Sequence, residues 1–144
     1  MVKDGVLKNK IVATSGGFDP LHIGHLELLN EAKKLGDKLV IIVNGDQWLI
    51  RKKGKFLMGL ADRMEIIRNL KMVDYVIGWD DGTENVCGAL EVLRPDIFAK
   101  GGDRTLENIP ERKTCEKLGI KMVFGIGKKI RSSSELLNNY HNSK

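Results

Sequence analysis

The sequence predicts an α/β fold built on a parallel sheet, and three observations predict it. Short β-branched apolar runs alternate along the chain with segments whose apolar residues recur at helical spacing. Residues 38–43 are almost continuously apolar, as a parallel strand covered on both faces requires. Glycine, asparagine or proline punctuates the junctions.

Residues 11–15 (Ile-Val-Ala-Thr-Ser) read as a buried strand ending at Gly16-Gly17. Residues 24–35 follow as a helix, on the spacing of Leu26, Leu29 and Ala32, and Gly36 stops it. Residues 38–43 form the second strand, ended by Asn44-Gly45-Asp46, and a basic loop follows. Residues 60–72 read as a helix with Leu60, Met64, Ile67 and Leu70 on one face. Residues 74–78 make a third strand, and 86–93 a helix that halts before Pro95. A fourth strand at 96–99 runs into Lys100-Gly101-Gly102-Asp103. A short helix at 111–118 leads to a fifth strand at 121–124. Residues 132–140 read as a last helix, with Ser132 as N-cap and Glu135 as its capping-box partner.

The 144 residues amount to one domain, large enough to bury a core. Charged residues make up 30% and aromatics 6%, a soluble globular profile. No apolar run approaches the roughly 18 to 20 residues of a membrane span. The first ten residues are polar and lack the apolar centre of a signal peptide, so a cytoplasmic location is expected. Cys87 and Cys115 are too few and too far apart for a disulfide framework or a zinc site and read as free thiols. The net charge of +5 suits a solvated basic surface or a small anionic ligand. Two basic concentrations stand out, at 51–55 and 128–131. Neither is interleaved with stacking aromatics, so nucleic acid is not the expected partner.

In an open parallel sheet, ligands bind beyond the carboxyl ends of the strands. Four unusual segments fall at such ends: 16–25, 44–55, 101–104 and 128–134. In the first, Gly16 and Gly17 let the backbone approach a ligand. Pro20 holds Asp19 extended and outside the helix. His22 and His25, three apart, share a face of the first helical turn, where free N–H groups and the helix dipole suit phosphate. Two other readings stand beside this one. One histidine could be a satisfied core residue and the other a cap, or the two could be a metal pair.

The segment Gly16-Gly17-Phe18-Asp19-Pro20-Leu21-His22-Ile23-Gly24-His25 resembles the signature of the cytidylyltransferase-like nucleotidyltransferase superfamily, G-x-F-D-x-x-H-x-G-H. The resemblance extends over nearly the whole chain, and it implies a single Rossmann-like nucleotidyltransferase domain at 1–144. Asn44-Gly45-Asp46 matches the motif ending the family's second strand. Lys53 matches a phosphate-contacting lysine in the next loop, with Lys52 and Lys55 as substitutes. Arg63 matches an arginine opening the next helix, Gly101-Gly102-Asp103 a glycine–aspartate motif, and Ser132-Ser133-Ser134 a phosphate-binding triplet. Ile130-Arg131 stands where relatives often carry Gly-Ile or Gly-Cys. Lys128 and Lys129 keep the charge of an arginine that some members place before the triplet.

The implied reaction moves a nucleoside monophosphate from ATP or CTP, with Mg²⁺, onto a phosphorylated small-molecule acceptor, releasing pyrophosphate. His22, His25 and Lys53 would be the catalytic groups. Gly17, Phe18, Asp19, Gly24, Gly101, Asp103, Lys129 and Ser132, Ser133 and Ser134 would bind the nucleotide. Asp46, Lys52, Lys55 and Arg63 would face the acceptor. The phosphates rather than a protein cage would hold the Mg²⁺. Lys100-Gly101-Gly102-Asp103 and Val43-Asn44-Gly45-Asp46 look like the adenylyltransferase domain of ADP-heptose synthases, which points to a sugar phosphate. Glycerol-3-phosphate cytidylyltransferase is the alternative, and a non-catalytic nucleotide sensor is another of a different class. The residues themselves are silent on oligomeric state; relatives of this layout are often dimers or larger, so a homodimer is an expectation by analogy alone.

Overall fold

The computed structural model of the chain describes residues 9–101 and 110–126. The last helix expected from the sequence lies outside them. Five strands, β1 (Ile11–Gly16), β2 (Lys38–Asn44), β3 (Tyr75–Trp79), β4 (Ile97–Gly101) and β5 (Lys121–Ile126), pair in the order β3-β2-β1-β4-β5. Every pairing is parallel. Five helices lie between them: α1 (Ile23–Lys33), α2 (Asp46–Lys53), α3 (Leu60–Arg68), α4 (Cys87–Leu93) and α5 (Arg112–Leu118). The α/β class and the five-stranded Rossmann-like sheet match the expectation.

The order reverses beside β1, so β1 and β4 flank the switch point where open α/β sheets place ligands. In-register pairing sets Gly16 opposite Val43, and Asn44 opposite Trp79. The strand ends Gly16, Asn44, Trp79 and Gly101 thereby share one edge. Two cores cover the sheet. Leu29 and Ala32 of α1 and Ile67 of α3 pack on Val12, Ile41 and Val43. On the other face Ala89 and Leu90 of α4 and Cys115 of α5 pack on Ala13, Ile42 and Phe98. Residues 12, 41 and 43 against 13 and 42 show the strict alternation that puts neighbouring side chains on opposite faces.

The amino ends of the strands are closed by aspartates. Asp96 Oδ2 accepts from Ile11 N–H at 2.8 Å, and Asp37 Oδ2 from Lys10 N–H at 2.8 Å. Asp74 Oδ2 accepts from Leu39 N–H at 2.8 Å and pairs with Lys33 Nζ at 2.6 Å. Each carboxylate satisfies a backbone donor that starts a strand.

The basic loop expected after Asn44 is a helix, α2, and this is the main correction. Its signals were short: Asp46 in the first turn, Arg51, Lys52 and Lys53 in the last, and Gly54 closing it at φ 86°. Leu49 is its one buried residue, so no apolar stripe marks it. Helix α3 ends at Arg68 rather than at 72, because Asn69 caps it and donates to Glu65 O at 2.8 Å. No helix of the described residues is long and apolar enough to cross a membrane.

Candidate functional site

The site grows from the first turn of α1. His22 is the N-cap in extended backbone, and its Nδ1 accepts from Gly24 N–H at 3.1 Å. His25 returns the favour three residues on: its Nδ1 accepts from His22 N–H at 3.2 Å. This is a capping box made of two imidazoles in place of a hydroxyl and a carboxylate. An Nδ1 that accepts a backbone N–H carries no proton, so the neutral ring holds its proton on Nε2. The two rings stack with centroids 3.9 Å apart. Burial, then the charge of Lys53, lowers the His22 pKa. Burial, then His22 and Lys53, pushes His25 down to about 4. Both rings are therefore neutral Nε2–H donors at neutral pH, set at a helix N-terminus. Capping thus occupies one nitrogen of each ring and leaves the other as an N–H donor.

The turn feeding this helix is tightly built. Phe18 sits at φ 53°, a left-handed conformation that costs a non-glycine residue about 1 kcal/mol. Its buried ring holds it there, with an edge against His25 at 5.0 Å. Phe18, expected at the nucleotide, thus supports the histidine from behind. A Cβ on Gly17 would meet Leu49 Cδ2 at 2.8 Å, so α2 packs directly on the turn. At the end of β4, a Cβ on Gly101 would meet Leu28 Cδ1 at 2.9 Å and Ile126 O at 3.0 Å, which leaves room for glycine alone.

Two expected ligand contacts are corrected. The Asp19 carboxylate is buried and accepts from Leu57 N–H at 2.6 Å and Met58 N–H at 2.9 Å, stapling the 54–59 loop to the turn. The Arg63 side chain is fully buried. It donates from Nε to Met58 O at 2.8 Å, from Nη1 to Gly17 O at 2.9 Å and Asn44 O at 2.6 Å, and from Nη2 to Asp46 Oδ1 at 2.6 Å. Arg63, expected at the acceptor, is spent on these groups, while Asp46, also expected there, pairs with it through Oδ1 and stays partly exposed. Three chain segments converge there and leave carbonyls that need a multi-donor partner, which the guanidinium fork supplies.

The structure places the three lysines differently. Lys52 pairs with Glu84 at 3.0 Å and lies 5.7 Å from the Trp48 ring. Lys53, the last residue of α2, is exposed, and its charge acts on both imidazoles. Lys55 is exposed in the following loop. Asp103, Lys129, Ser132, Ser133 and Ser134 lie outside the described residues. Among the described residues no three His, Cys, Asp or Glu side chains gather as a metal-ligand group.

Sequence reasoning missed Asp80, at the end of β3. Its Oδ2 accepts from Trp48 N–H at 2.9 Å and its Oδ1 from Arg51 Nη2 at 2.9 Å. Only its position one residue beyond an apolar strand could have marked it.

The paired-histidine cap stands at a helix N-terminus at the switch point of a parallel sheet, and residues 13–134 match the family described as cytidylyltransferase-like. The chain belongs to the cytidylyltransferase-like family. Family membership makes it a relative of nucleotidyltransferases. It is 38% identical over 131 residues to the bifunctional protein HldE of Hahella chejuensis, covering 90% of this chain and 25% of that protein. To the bifunctional protein HldE of Streptomyces coelicolor it is 41% identical over 130 residues, covering 88% and 27%. The chain thus spans about a quarter of the length of these relatives. A lipopolysaccharide core biosynthesis protein from Thermoplasma volcanium has the same fold with a TM-score of 0.69 at 31% identity, over 83% of this chain and 98% of that one. Within the cytidylyltransferase-like fold, Arg63 and Asp19 build the turn, the two histidines sit half-buried at the helix start, and Lys53 is exposed.

Proposed function

We propose that this protein transfers a nucleoside monophosphate from ATP or CTP to a phosphorylated small-molecule acceptor of the sugar 1-phosphate type. The observation that carries this reading is the pair of neutral imidazoles at the α1 N-terminus, each with Nδ1 used by the backbone and Nε2–H left for a ligand. Similarity to HldE and to a lipopolysaccharide core biosynthesis protein supports a sugar phosphate of the heptose 1-phosphate kind as acceptor, with ATP as the donor.

The acceptor's phosphate oxygen attacks the α-phosphorus, the bond from the α-phosphorus to the bridging oxygen breaks, and pyrophosphate leaves with the electron pair. The nucleophile arrives ionised, so no general base is needed, and catalysis is positioning plus charge stabilisation. His22 and His25 donate to the triphosphate and to charge that grows on its oxygens. Lys53 neutralises charge on the transferring group or the acceptor. Mg²⁺ would be held mainly by the phosphates and would supply further charge neutralisation there.

A matrix of ATP and CTP against aldose 1-phosphates and glycerol 3-phosphate, read by pyrophosphate release, tests the reading. Turnover is expected with ATP and a sugar 1-phosphate. Turnover restricted to CTP with glycerol 3-phosphate would move the assignment to the polyol phosphate. Nucleotide binding without turnover across the matrix would make the protein a nucleotide sensor.

A further inference from the structure

Helix α2 carries Lys53 at its end, yet its own sequence does little to hold it. Its N-cap is Gly45, which supplies no side-chain hydrogen bond, and only Leu49 is buried. The missing cap comes from the end of β3. Asp80 Oδ2 accepts from Trp48 N–H, the third residue of the helix, at 2.9 Å. Its Oδ1 accepts from Arg51 Nη2 at 2.9 Å and from Gly82 N–H at 3.1 Å. One carboxylate therefore grips the first turn of α2, its last turn and the 80–85 loop. The loop adds to the grip: Glu84 O accepts from Trp48 Nε1 at 3.3 Å, and the Glu84 carboxylate pairs with Lys52 at 3.0 Å. Close approach is built into the backbone, since a Cβ on Gly45 would meet Asp80 Cβ at 2.8 Å. On its other side α2 packs against Gly17 of the phosphate turn, through Leu49 and Trp48.

We infer that Asp80 is a positioning residue: by capping α2 and holding Arg51 it sets the helix against the Gly17 turn and aims Lys53 at the His22–His25 pair. This rests on the reading of Lys53 and the two histidines as the catalytic groups. Arg51 and Lys52 are engaged by Asp80 and Glu84, so of the three cations ending α2 it is Lys53 whose charge reaches the imidazoles. Asp80 touches no reacting atom, and its effect passes through the helix.

The test uses the full chain and two readouts. The first is the titration of the His22 and His25 rings by NMR, with no substrate present. The charged groups acting on these rings are Lys53 and, for His25, His22. Lys53→Ala should raise both pKa values, because a cation that opposes protonation is gone. Asp80→Ala should raise them in the same direction by a smaller amount, and should add nothing in the Lys53→Ala background. Asp80→Asn keeps an acceptor for Trp48 N–H and should lie between wild type and Asp80→Ala; it also serves if Asp80→Ala fails to fold. The second readout is pyrophosphate release, where Asp80→Ala should lower kcat about tenfold and KM far less, an effect absent in the Lys53→Ala background. Unshifted imidazoles in a folded Asp80 variant, or effects additive with Lys53→Ala, would overturn the inference. Shifted imidazoles in a protein that turns over no substrate would uphold the positioning and refute the catalytic reading instead.

Discussion

The two ends of the sheet spend their polar groups differently. At the amino ends, Asp37, Asp74 and Asp96 accept backbone N–H groups that begin strands, and Asp74 adds an ion pair with Lys33. At the carboxyl ends the polar groups divide into two sets. Buried Arg63 and Asp19, and Asp80 at the surface, bind protein groups, while His22 and His25 take backbone N–H on one ring nitrogen and keep a proton on the other. At the carboxyl ends, then, Arg63, Asp19 and Asp80 are spent on protein groups, and the two histidines cap a helix while keeping one ring nitrogen as a donor.

The sharpest break of that sorting is Arg63→Met. Three carbonyls lose a donor and Asp46 loses its partner, so unfolding free energy should drop by about 3 to 5 kcal/mol in chemical denaturation. Lysine should not rescue it, since one ammonium cannot span the fork. An Arg63→Met protein with wild-type stability and only a raised acceptor KM would return this residue to the ligand. His25→Ala should do the reverse: kcat falls by about 10²- to 10³-fold, the size of losing one preorganised donor, while stability changes by about 1 kcal/mol for the cap.

The opposite end gives the control. Asp74→Asn should cost about 1 kcal/mol of stability and leave kcat unchanged, because it weakens a strand-end hydrogen bond and an ion pair remote from the site in function. Acid titration separates the two ends further. His25 binds its proton near pH 4 when folded against 6.5 in an ordinary histidine, so the unfolded chain holds more protons between those values. Stability should fall as pH drops from about 6.5 to about 4, and His25→Ala should flatten that stretch. Burial opposes ionisation of Asp74, but Lys33 and the Leu39 N–H outweigh it and leave its pKa lowered. Its share of stability is present above its ordinary value and lost only as pH falls through the lower folded one, so Asp74→Asn should leave the higher window untouched.

These contrasts also mark what could be read from the residues in order. Strands and long helices were legible because buried side chains repeat with a period, as in residues 38–43 and around Leu29 and Ala32. Helix α2 was not, because one buried leucine makes no stripe and its support is non-local, from Arg63 through Asp46 and from Asp80 through Trp48 and Arg51. The histidine pair was legible by spacing, but not its tautomers, which depend on backbone N–H groups that exist only once the helix starts. Arg63 reads as a ligand contact in a motif. Its burial follows from three carbonyl-bearing segments meeting in space, which no local pattern encodes.

The central claim is that two neutral imidazoles present Nε2–H to the triphosphate. ¹⁵N NMR of His22 and His25 at pH 7, without and with ATP or CTP and Mg²⁺, tests it most directly. The account predicts unprotonated Nδ1 and protonated Nε2 on both rings throughout, with the Nε2–H resonances moving when nucleotide binds. Protonation at Nδ1, a charged ring at pH 7, or Nε2–H signals indifferent to bound nucleotide would contradict it.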